Sequence, residues 1–463
     1  MSHRFDATVL RDYDVRGVVG ATLGPADADA LGRSFATRVR RAGGARVAVG
    51  FDGRISSPVL ETALIEGLIA SGVDVVRIGL GPTPQLYFAE ATLAVDAGVQ
   101  VTGSHNPAAY NGFKMVLGHR AFYGGDIQDL ARLAAAGDWE AGAGTVTTAD
   151  VRENYVQRLA RGFAGNGYRI GWDPANGAAG PVIERLVQLL PGEHHVINAD
   201  VDGTFPNHHP DPTVEANLDQ LKRLVAERRL DFGLGFDGDG DRLGAIDGEG
   251  RMVWGDQLMM LLAEPVLRRH PGSPIIADVK SSDALFDRIR DLGGRPVMTR
   301  SGHSVLKAAL SEHGAPLAGE LSGHIFFADD WHGFDDAQYA AVRLIEAVSA
   351  SGRTLTELRG AMPALCTTPE LRIPVDEARK WAVVDEVLAR LHADAAEVNA
   401  IDGARVTTAD GWWLLRASNT EAALTARAEA RDEAGLARLV AAIGDQLARS
   451  GIADPFGAGG GAG

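Results

Sequence analysis

Apolar strands alternate with amphipathic helices in three segments of the chain, and each segment repeats one plan. A short apolar run ends at a turn that contains Asp or Lys, apolar residues then recur at helical spacing, and a second apolar run follows. The opening runs with their turns span 46–53, 168–174 and 275–280, the helices 58–71, 181–190 and 284–292, and the closing strands 73–78, 195–197 and 295–299. This alternation predicts stacked α/β layers, and three copies predict three related domains.

The remainder of the chain has a different pattern and predicts a smaller α+β domain. It opens with a short strand at 371–375, continues into a helix, and ends with a helix that stops near Arg449. The Gly/Ala tail that follows is expected to be disordered. At 463 residues the chain exceeds the size of a single core, so several domains are expected. The predicted limits are 1–150, 151–252, 253–367 and 368–463.

The charge and cysteine content of the chain limit the kinds of molecule that it is expected to bind. The formal charge is −16, the pI is near 5.3, and the basic residues are scattered, so neither a nucleic-acid face nor a polybasic membrane patch is indicated. The single cysteine, Cys366, excludes an internal disulfide and fits a reducing compartment. The N-terminus lacks the apolar region of a signal peptide, and no run reaches membrane-spanning length. A cytoplasmic protein with small-molecule partners is therefore predicted.

Three carboxylates at alternate positions form a candidate metal loop, at Asp237, Asp239 and Asp241. A solvated turn is the simpler interpretation. An EF-hand loop is excluded, because its sixth and twelfth positions would be Arg242 and Gly248 instead of glycine and glutamate. Three short carboxylates make an incomplete cage that leaves room for water and a phosphate oxygen, as Mg²⁺ prefers. The loop therefore predicts a metal site, beside which Arg242 either pairs with phosphate or balances the carboxylates.

A candidate nucleophile lies in the turn Thr102-Gly-Ser-His-Asn-Pro107, which directly follows an apolar strand. The turn presents the Ser104 hydroxyl, although a structural cap is an equally common use of such a residue. A serine needs a base or a metal to attack, so a stored phosphoserine beside Mg²⁺ is plausible. His105 and Lys114 are candidates for proton transfer or charge neutralisation. The sequence leaves the general base unassigned.

Two further loops carry polar residues suited to a sugar phosphate. In the loop 319–324, Glu320 and Ser322 suit vicinal hydroxyls, and His324 suits phosphate sensing or proton transfer. The loop 416–420 concentrates a guanidinium with hydroxyl and amide donors, which clamp a phosphate in many proteins. Its candidate ligands are Arg416, Ser418, Asn419 and Thr420. Each loop taken alone is more often structural.

Residues near the N-terminus and in the third segment complete the candidates. A tight turn places Tyr13 and Arg16 together. His303 lies where Gly302-His-Ser, with Lys307, opens a helix, so it meets an anion or merely caps the helix. The pairs His194-His195 and His208-His209 receive no ligand role.

These motifs, in this order over nearly the whole chain, resemble the α-D-phosphohexomutase superfamily, in particular its bacterial phosphomannomutase/phosphoglucomutase branch. The resemblance assigns the phosphoserine loop to 102–107, the metal loop to 237–242, the sugar loop to 319–324 and the phosphate loop to 416–420. Leu321 stands where that branch often has methionine, a small apolar change. The implied fold is three α/β domains with mixed sheets sandwiched by helices, plus a smaller α+β domain, around a central cleft.

The resemblance also implies the reaction and the residue roles. Phosphorylated Ser104 converts a mannose or glucose 1- or 6-phosphate into a hexose 1,6-bisphosphate, which reorients and returns the other phosphate. Mg²⁺ is the implied metal, held by Ser104 and the three aspartates, and hexose 1,6-bisphosphate is the activator that phosphorylates Ser104. Arg16, His105, Lys114 and Arg242 are implied in catalysis. The implied substrate-binding residues are Tyr13, Lys280, His303, Glu320, Ser322, His324, Arg416, Ser418, Asn419 and Thr420.

Three alternatives stay open. A metal-dependent sugar phosphatase needs only water to attack the same phosphoserine. Phosphoglucosamine mutase is the nearest substrate rival, and a binding protein that keeps the fold is a third class. A monomer is expected, and the sequence leaves a dimer open.

Overall fold

The computed structural model describes residues 2–419 and 422–453, so Thr420 and the predicted Gly/Ala tail from residue 454 lie outside it. The chain forms two compact units. The first contains the residues up to Ala277 together with 287–297 and 302–361, and the second contains 278–286, 298–301 and the residues from Met362 onward. Among the described residues, no helix is both long and apolar enough to cross a membrane.

The first sheet is mixed and has seven strands. They are β1 (Val15–Val18), β2 (Arg46–Phe51), β3 (Asp74–Leu80), β4 (Ala97–Val101), β5 (Tyr110–Leu117), β6 (Arg120–Ala121) and β7 (Val146–Thr148). Their order is β1-β5-β4-β2-β3-β7, with β6 paired to β5; β4, β2, β3 and β7 are parallel to one another, whereas β5 is antiparallel to β4, β1 and β6. The associated helices are α1 (Pro25–Arg41), α2 (Ser57–Ala70), α3 (Thr83–Thr92), α4 (Gly125–Ala136) and α5 (Arg152–Ala160).

The pattern of buried residues explains why this region forms helices and strands. Along α1, Ala28, Leu31, Phe35 and Val39 recur at helical spacing and lie in the core. Strand β4 is buried at every position, because helices cover the parallel part of the sheet, so its residues form a continuous apolar run instead of alternating.

The second sheet repeats the plan with five strands. They are β8 (Tyr168–Asp173), β9 (Gly192–Val196), β10 (Phe232–Phe236), β11 (Leu243–Asp247) and β12 (Met252–Val253), in the order β12-β11-β10-β8-β9. Strands β8, β9 and β10 are parallel, and the hairpin β10–β11 carries the metal loop at its turn. The helices are α6 (Gly180–Leu186) and α7 (Asp219–Arg228), with a 3₁₀ turn at Glu215–Leu218.

The third sheet has four strands in the order β14-β13-β15-β16. They are β13 (Pro274–Asp278), β14 (Arg295–Thr299), β15 (Leu317–Gly319) and β16 (Ile325–Phe327). The helices are α8 (Gly255–Arg269), α9 (Asp283–Asp291), α10 (His303–His313), α11 (Ala337–Ser351) and α12 (Leu355–Gly360). The sugar loop is the turn of the antiparallel hairpin β15–β16.

The last sheet is antiparallel and lies in the second unit. Its strands are β17 (Cys366–Thr367), β18 (Leu371–Pro374), β19 (Val398–Asn399), β20 (Ala404–Thr407), β21 (Gly411–Ala417) and β22 (Ala423–Ala430). Helices α13 (Lys380–Ala393) and α14 (Glu433–Arg449) pack their apolar sides on this sheet. The candidate phosphate loop connects β21 to β22.

The predicted fold class is confirmed: three related α/β domains precede a smaller α+β domain. One predicted helix, 181–190, was too long, because α6 ends at Leu186. Leu190 precedes Pro191, which disfavours helical backbone, and Gly192 adopts a φ of +123° at the start of β9. The strand expected at 195–197 consequently begins earlier, at Gly192.

Candidate active site

The turn after β4 holds Ser104 in an unusual backbone conformation. Its φ is +49°, in the left-handed region that residues with a side chain rarely adopt, and its surface is 2% exposed. The Ser104 amide donates to Thr102 Oγ1 at 2.8 Å, and Asn106 closes the turn by donating its amide to the Gly103 carbonyl. Strain of this kind persists only where surrounding contacts hold it.

The turn between β10 and β11 brings the three aspartates against this serine. Asp237 Oδ1 accepts the amides of Asp241 and Arg242 at 3.0 and 3.1 Å, which fixes the carboxylate within its own loop. Its other oxygen, Oδ2, accepts the Ser104 hydroxyl at 3.0 Å. Two loops from different sheets therefore meet at one atom pair.

Lys114, on β5, neutralises part of the aspartate cluster. Its Nζ donates to Asp239 Oδ2 at 2.8 Å and also to Asp241 Oδ2. Burial opposes the charged ammonium, but the carboxylates of Asp239 and Asp241 outweigh it and raise the pKa of Lys114. Burial likewise opposes ionisation of Asp239, but Lys114 lowers the pKa of that carboxyl.

The same aspartates suit a metal ion. Ligand oxygens of Asp237, Asp239 and Asp241 lie within 4.8 Å of one another, and all three residues are fully buried. Lys114 uses only the Oδ2 atoms, and the Oδ1 atoms of Asp239 and Asp241 accept no hydrogen bond from any residue within 2–419 or 422–453. Buried carboxylate oxygens without a donor are costly unless a cation satisfies them, so the donor set fits a hard divalent cation.

His105 and Arg16 make further contacts with residues of the serine turn. His105 Nδ1 is 3.2 Å from Ser104 Oγ. Partial burial, together with the nearby Arg242 and Arg16 cations, holds the pKa of His105 well below its usual range. Arg16 donates to the side chains of Asn106 and Asp14, which ties β1 to the turn.

The metal loop and the sugar loop are joined through Arg242 and His324. The two residues form an antiparallel backbone bridge, and Arg242 Nε donates to His324 Nε2 at 3.0 Å. An arginine has donors only, so Nε2 is an acceptor and the ring proton lies on Nδ1. His324 Nδ1 is 3.0 Å from Asp335 Oδ2.

Asp335 is a site residue that the sequence did not reveal. It is fully buried, and Lys307 Nζ lies 2.8 Å from its Oδ1 while His303 Nδ1 lies 3.7 Å from its Oδ2. Burial opposes its ionisation, but Lys307 and His324 outweigh burial and hold the pKa of Asp335 well below its usual range. The pair Asp335-Asp336 before an apolar helix signals a helix cap, but only Asp336 serves as the cap, with Oδ1 accepting the Tyr339 amide at 2.8 Å.

The sugar loop lies against the start of α10. Glu320 Oε1 accepts the Gly302 amide, and Ser322 Oγ donates to Glu320 Oε2 at 3.1 Å. His303 begins α10 as predicted, and its ring lies edge-on to Tyr13, with 6.2 Å between centroids. Burial, reinforced by Lys307, lowers the pKa of His303 well below its usual range.

The second unit contains the remaining candidates. Arg416 Nε donates to Asp402 Oδ2 at 2.9 Å, and the Ser418 carbonyl accepts Lys380 Nζ at 2.7 Å. Lys280 Nζ lies 3.1 Å from Glu370 Oε2, and Lys280 lowers the pKa of Glu370 to about 2. Asp402 and Glu370 were missed by sequence reasoning, because neither lies in a recognisable motif.

The structure thus divides the predicted site residues into two groups. The first unit holds Tyr13, Arg16, Ser104, His105, Lys114, Asp237, Asp239, Asp241, Arg242, His303, Glu320, Ser322 and His324. The second unit holds Lys280, Arg416, Ser418 and Asn419, whereas Thr420 lies outside the described residues.

Comparisons with known proteins agree with this geometry. Models of phosphoglucomutase/phosphomannomutase match in four parts: alpha/beta/alpha domains I, II and III at residues 7–138, 153–250 and 254–365, and the C-terminal domain at residues 370–446. A phosphomannomutase/phosphoglucomutase of Pseudomonas putida is 41% identical over 443 residues, which is 96% of each chain. A phosphoglucomutase of Neisseria meningitidis serogroup A is 40% identical over 436 residues, covering 93% of this chain and 95% of that one.

Similarity extends to solved structures. The crystal structure of a phosphoglucomutase/phosphomannomutase family protein from Burkholderia thailandensis superposes with a TM-score of 0.91 at 41% identity, covering 96% of this chain and 98% of that chain. With four domain models matched in order and relatives similar over almost their whole length, the chain belongs to the phosphoglucomutase/phosphomannomutase family of α-D-phosphohexomutases.

Proposed function

We propose that this protein interconverts the 1- and 6-phosphates of mannose and glucose through a phosphorylated Ser104 and a hexose 1,6-bisphosphate. The observation that carries the proposal is the contact between Ser104 Oγ and Asp237 Oδ2 at 3.0 Å, which joins a serine to the buried aspartate cluster. The names of relatives that are 40–41% identical support mannose and glucose as the hexoses.

Residues of this site can account for each bond and proton in the phosphoryl transfer. The bond between Ser104 Oγ and phosphorus breaks while a bond from phosphorus to the sugar oxygen forms, and the sugar hydroxyl gives up its proton. His324 Nε2 takes this proton once Arg242, which donates to that atom in this structure, turns to the phosphate; the ring's Nδ1 lies 3.0 Å from Asp335 Oδ2. After the bisphosphate reorients, the reverse transfer returns the other phosphate to Ser104.

Cations around the transferring group stabilise its charge. Lys114 and Arg242 supply fixed positive charge around the aspartate cluster that Ser104 contacts. Mg²⁺, held by Asp237, Asp239, Asp241 and the phosphorylated Ser104, offsets charge on the transferring phosphoryl group when it is bound. Arg16 and His105 complete the surroundings of the serine.

The substrate's other groups have candidate partners too. Glu320 and Ser322 bind sugar hydroxyls, and Arg416, Ser418 and Asn419 with Lys280 bind the phosphate that does not react. Tyr13, His303 and Thr420 remain predicted substrate contacts. A monomer that works in the cytoplasm, with domain limits at 150, 252 and 367, also remains a prediction from the sequence.

The test is isomerisation of mannose 1-phosphate and glucose 1-phosphate in Mg²⁺ with a trace of glucose 1,6-bisphosphate, alongside mass spectrometry of Ser104. We expect turnover of both sugars and loss of most turnover in Ser104→Ala, with binding of sugar phosphate retained. Ser71→Ala, which changes a buried serine directly after the C-terminal end of α2, serves as the control. Phosphate release without isomer formation would indicate a phosphatase, and turnover of glucosamine phosphate alone would indicate the other mutase.

A further inference from the structure

Arg54 is a buried arginine that no sequence motif singled out. It lies in the loop between β2 and α2, and its side chain is fully buried. Its two terminal nitrogens donate to three backbone carbonyls of the serine turn and to that of Tyr110, where β5 begins. Nη2 reaches Ser104 O at 2.7 Å and Asn106 O at 2.6 Å, and Nη1 reaches Pro107 O at 2.7 Å and Tyr110 O at 2.9 Å.

Asp52, two residues before Arg54, accepts hydrogen bonds from the donor groups of the same turn. Asp52 Oδ2 accepts the Thr102 hydroxyl at 2.8 Å and the Gly103 amide at 3.1 Å. Its Oδ1 accepts the Arg54 amide at 3.0 Å, and Arg54 Nε lies 3.3 Å from Oδ2. From one loop, the pair therefore binds carbonyls, one N–H and one hydroxyl of the serine turn.

Close packing surrounds the Arg54 guanidinium. A Cβ added to Gly103 would lie 2.5 Å from Arg54 Nε and 2.9 Å from the Tyr110 carbonyl, so only glycine fits there. The Phe205 ring covers the guanidinium, with 5.2 Å between its centroid and Cζ. A planar fork that binds several carbonyls at once fixes their relative positions.

We propose that Arg54, braced by Asp52, is a positioning residue that holds Ser104 in its left-handed conformation and so aims Oγ at the phosphoryl group. The inference rests on the proposed function, because it needs Ser104 to be the group that carries phosphate. Arg54 acts through the backbone of the turn and contacts no atom that reacts. Misplacement of a nucleophile by about 1 Å is enough to slow a reaction by about 100-fold.

The test separates phosphoryl transfer from binding. Dephosphorylated protein is mixed with glucose 1,6-bisphosphate and Mg²⁺, phosphorylation of Ser104 is timed by mass spectrometry, and the Kd for glucose 1-phosphate is measured by calorimetry. The variants are Arg54→Ala and Arg54→Lys. Arg77→Ala is the matched control, because Arg77 pairs with Glu61 on α2 and does not contact the serine turn.

We expect Arg54→Ala to be phosphorylated about 100-fold more slowly, with a Kd close to that of the unmodified protein. Added guanidinium chloride should restore part of the phosphorylation rate, because the free ion can occupy the space left by the Arg54 side chain. Sodium chloride at the same concentration is the control. Arg54→Lys keeps the charge but lacks the fork, so its Ser104 should be phosphorylated about 10-fold more slowly. This variant tests the proposal if Arg54→Ala does not fold.

Three results would overturn the inference. One is an Arg54→Ala or Arg54→Lys protein that is phosphorylated at the unmodified rate. Another is a slow, folded Arg54→Ala protein whose rate guanidinium does not raise, which would reduce Arg54 to general stability. Failure of the unmodified protein to become phosphorylated on Ser104 would instead overturn the proposed function, and the inference with it.

Discussion

His324 Nδ1 lies 3.0 Å from Asp335 Oδ2, and Lys307 Nζ lies 2.8 Å from the other oxygen of the same buried carboxylate. The opposite ring nitrogen, Nε2, accepts Arg242 Nε at 3.0 Å. Contacts at both ring nitrogens fix the orientation and the tautomer of His324. The carboxylate thereby keeps the ring proton on Nδ1, so Nε2 is the nitrogen that accepts a proton once Arg242 turns away from it.

Asp335→Asn should slow turnover strongly. Asparagine lacks the negative charge that lies next to both Lys307 and His324. Its amide nitrogen is also a donor, so it cannot accept a hydrogen bond from the Lys307 ammonium. We expect kcat to fall about 100-fold, as for loss of an oriented acid or base, with little change in the Kd for sugar phosphate. Steady-state kinetics and calorimetry measure the two quantities.

Asp336→Asn is the matched control. Burial raises the pKa of Asp336 to about 7, so this carboxyl is partly neutral near neutral pH, and asparagine also caps a helix well. Its kcat should stay near the unmodified value. Equal losses in the two variants would contradict a special role for Asp335.

Magnesium should stabilise the fold through the aspartate cluster. At about 100 times its Kd, an ion that binds only the folded state raises the free energy of unfolding by about 2.7 kcal/mol. Thermal unfolding in EDTA and in Mg²⁺ measures the difference. Asp239→Asn should remove most of it, because Asp239 supplies one of the buried oxygens without a donor. A Tm that Mg²⁺ does not change in the unmodified protein would refute metal binding here.

Gly323→Ala should disturb the junction between the sugar and metal loops. Gly323 has a φ of +89°, and an added Cβ would lie 2.5 Å from the Leu243 carbonyl. Gly250 has a similar φ of +78°, but an added Cβ meets nothing within 4 Å. Alanine at Gly250 should therefore cost only the backbone strain of about 1 kcal/mol.

Alanine at Gly323 should cost about 3 kcal/mol or more, because backbone cannot move aside easily. It should also lower kcat, since Gly323 lies next to His324. Denaturant unfolding gives both free energies. Similar losses at the two glycines would show that the Leu243 backbone yields without cost.

His208 should stabilise the fold only at lower pH. His208 Nε2 lies 3.0 Å from the fully buried Asp173 carboxylate. Partial burial opposes protonation, but the hydrogen bond to Asp173 outweighs it and raises the pKa of His208. The stabilisation is therefore complete below the unfolded pKa of about 6.5 and disappears as the pH rises through the folded pKa.

A double-mutant cycle isolates this pair. The coupling energy of His208→Asn with Asp173→Asn, taken from unfolding at several pH values, should be largest in mild acid and fall toward alkaline pH. Other groups that titrate in this range cancel within the cycle. A coupling energy that does not change with pH would contradict the ion pair.

The sequence by itself determined the elements and most of the chemistry. Helix α14 ends at Arg449 and strand β14 spans 295–299 as predicted, because both follow from local periodicity. The reactive side chains were readable for a related reason. Ser104 and the aspartates lie in short loops whose spacing carries chemical meaning within a few residues.

Only the tertiary structure decided which distant groups support those loops. Arg54 reaches Ser104 from fifty residues away in sequence, and Asp335 meets His324 only because the segment after β16 folds back beside the sugar loop. Such side chains have no periodicity and no motif. Their roles depend on burial and on partners from other strands and helices, which the arrangement of the sheets creates and the order of residues does not show.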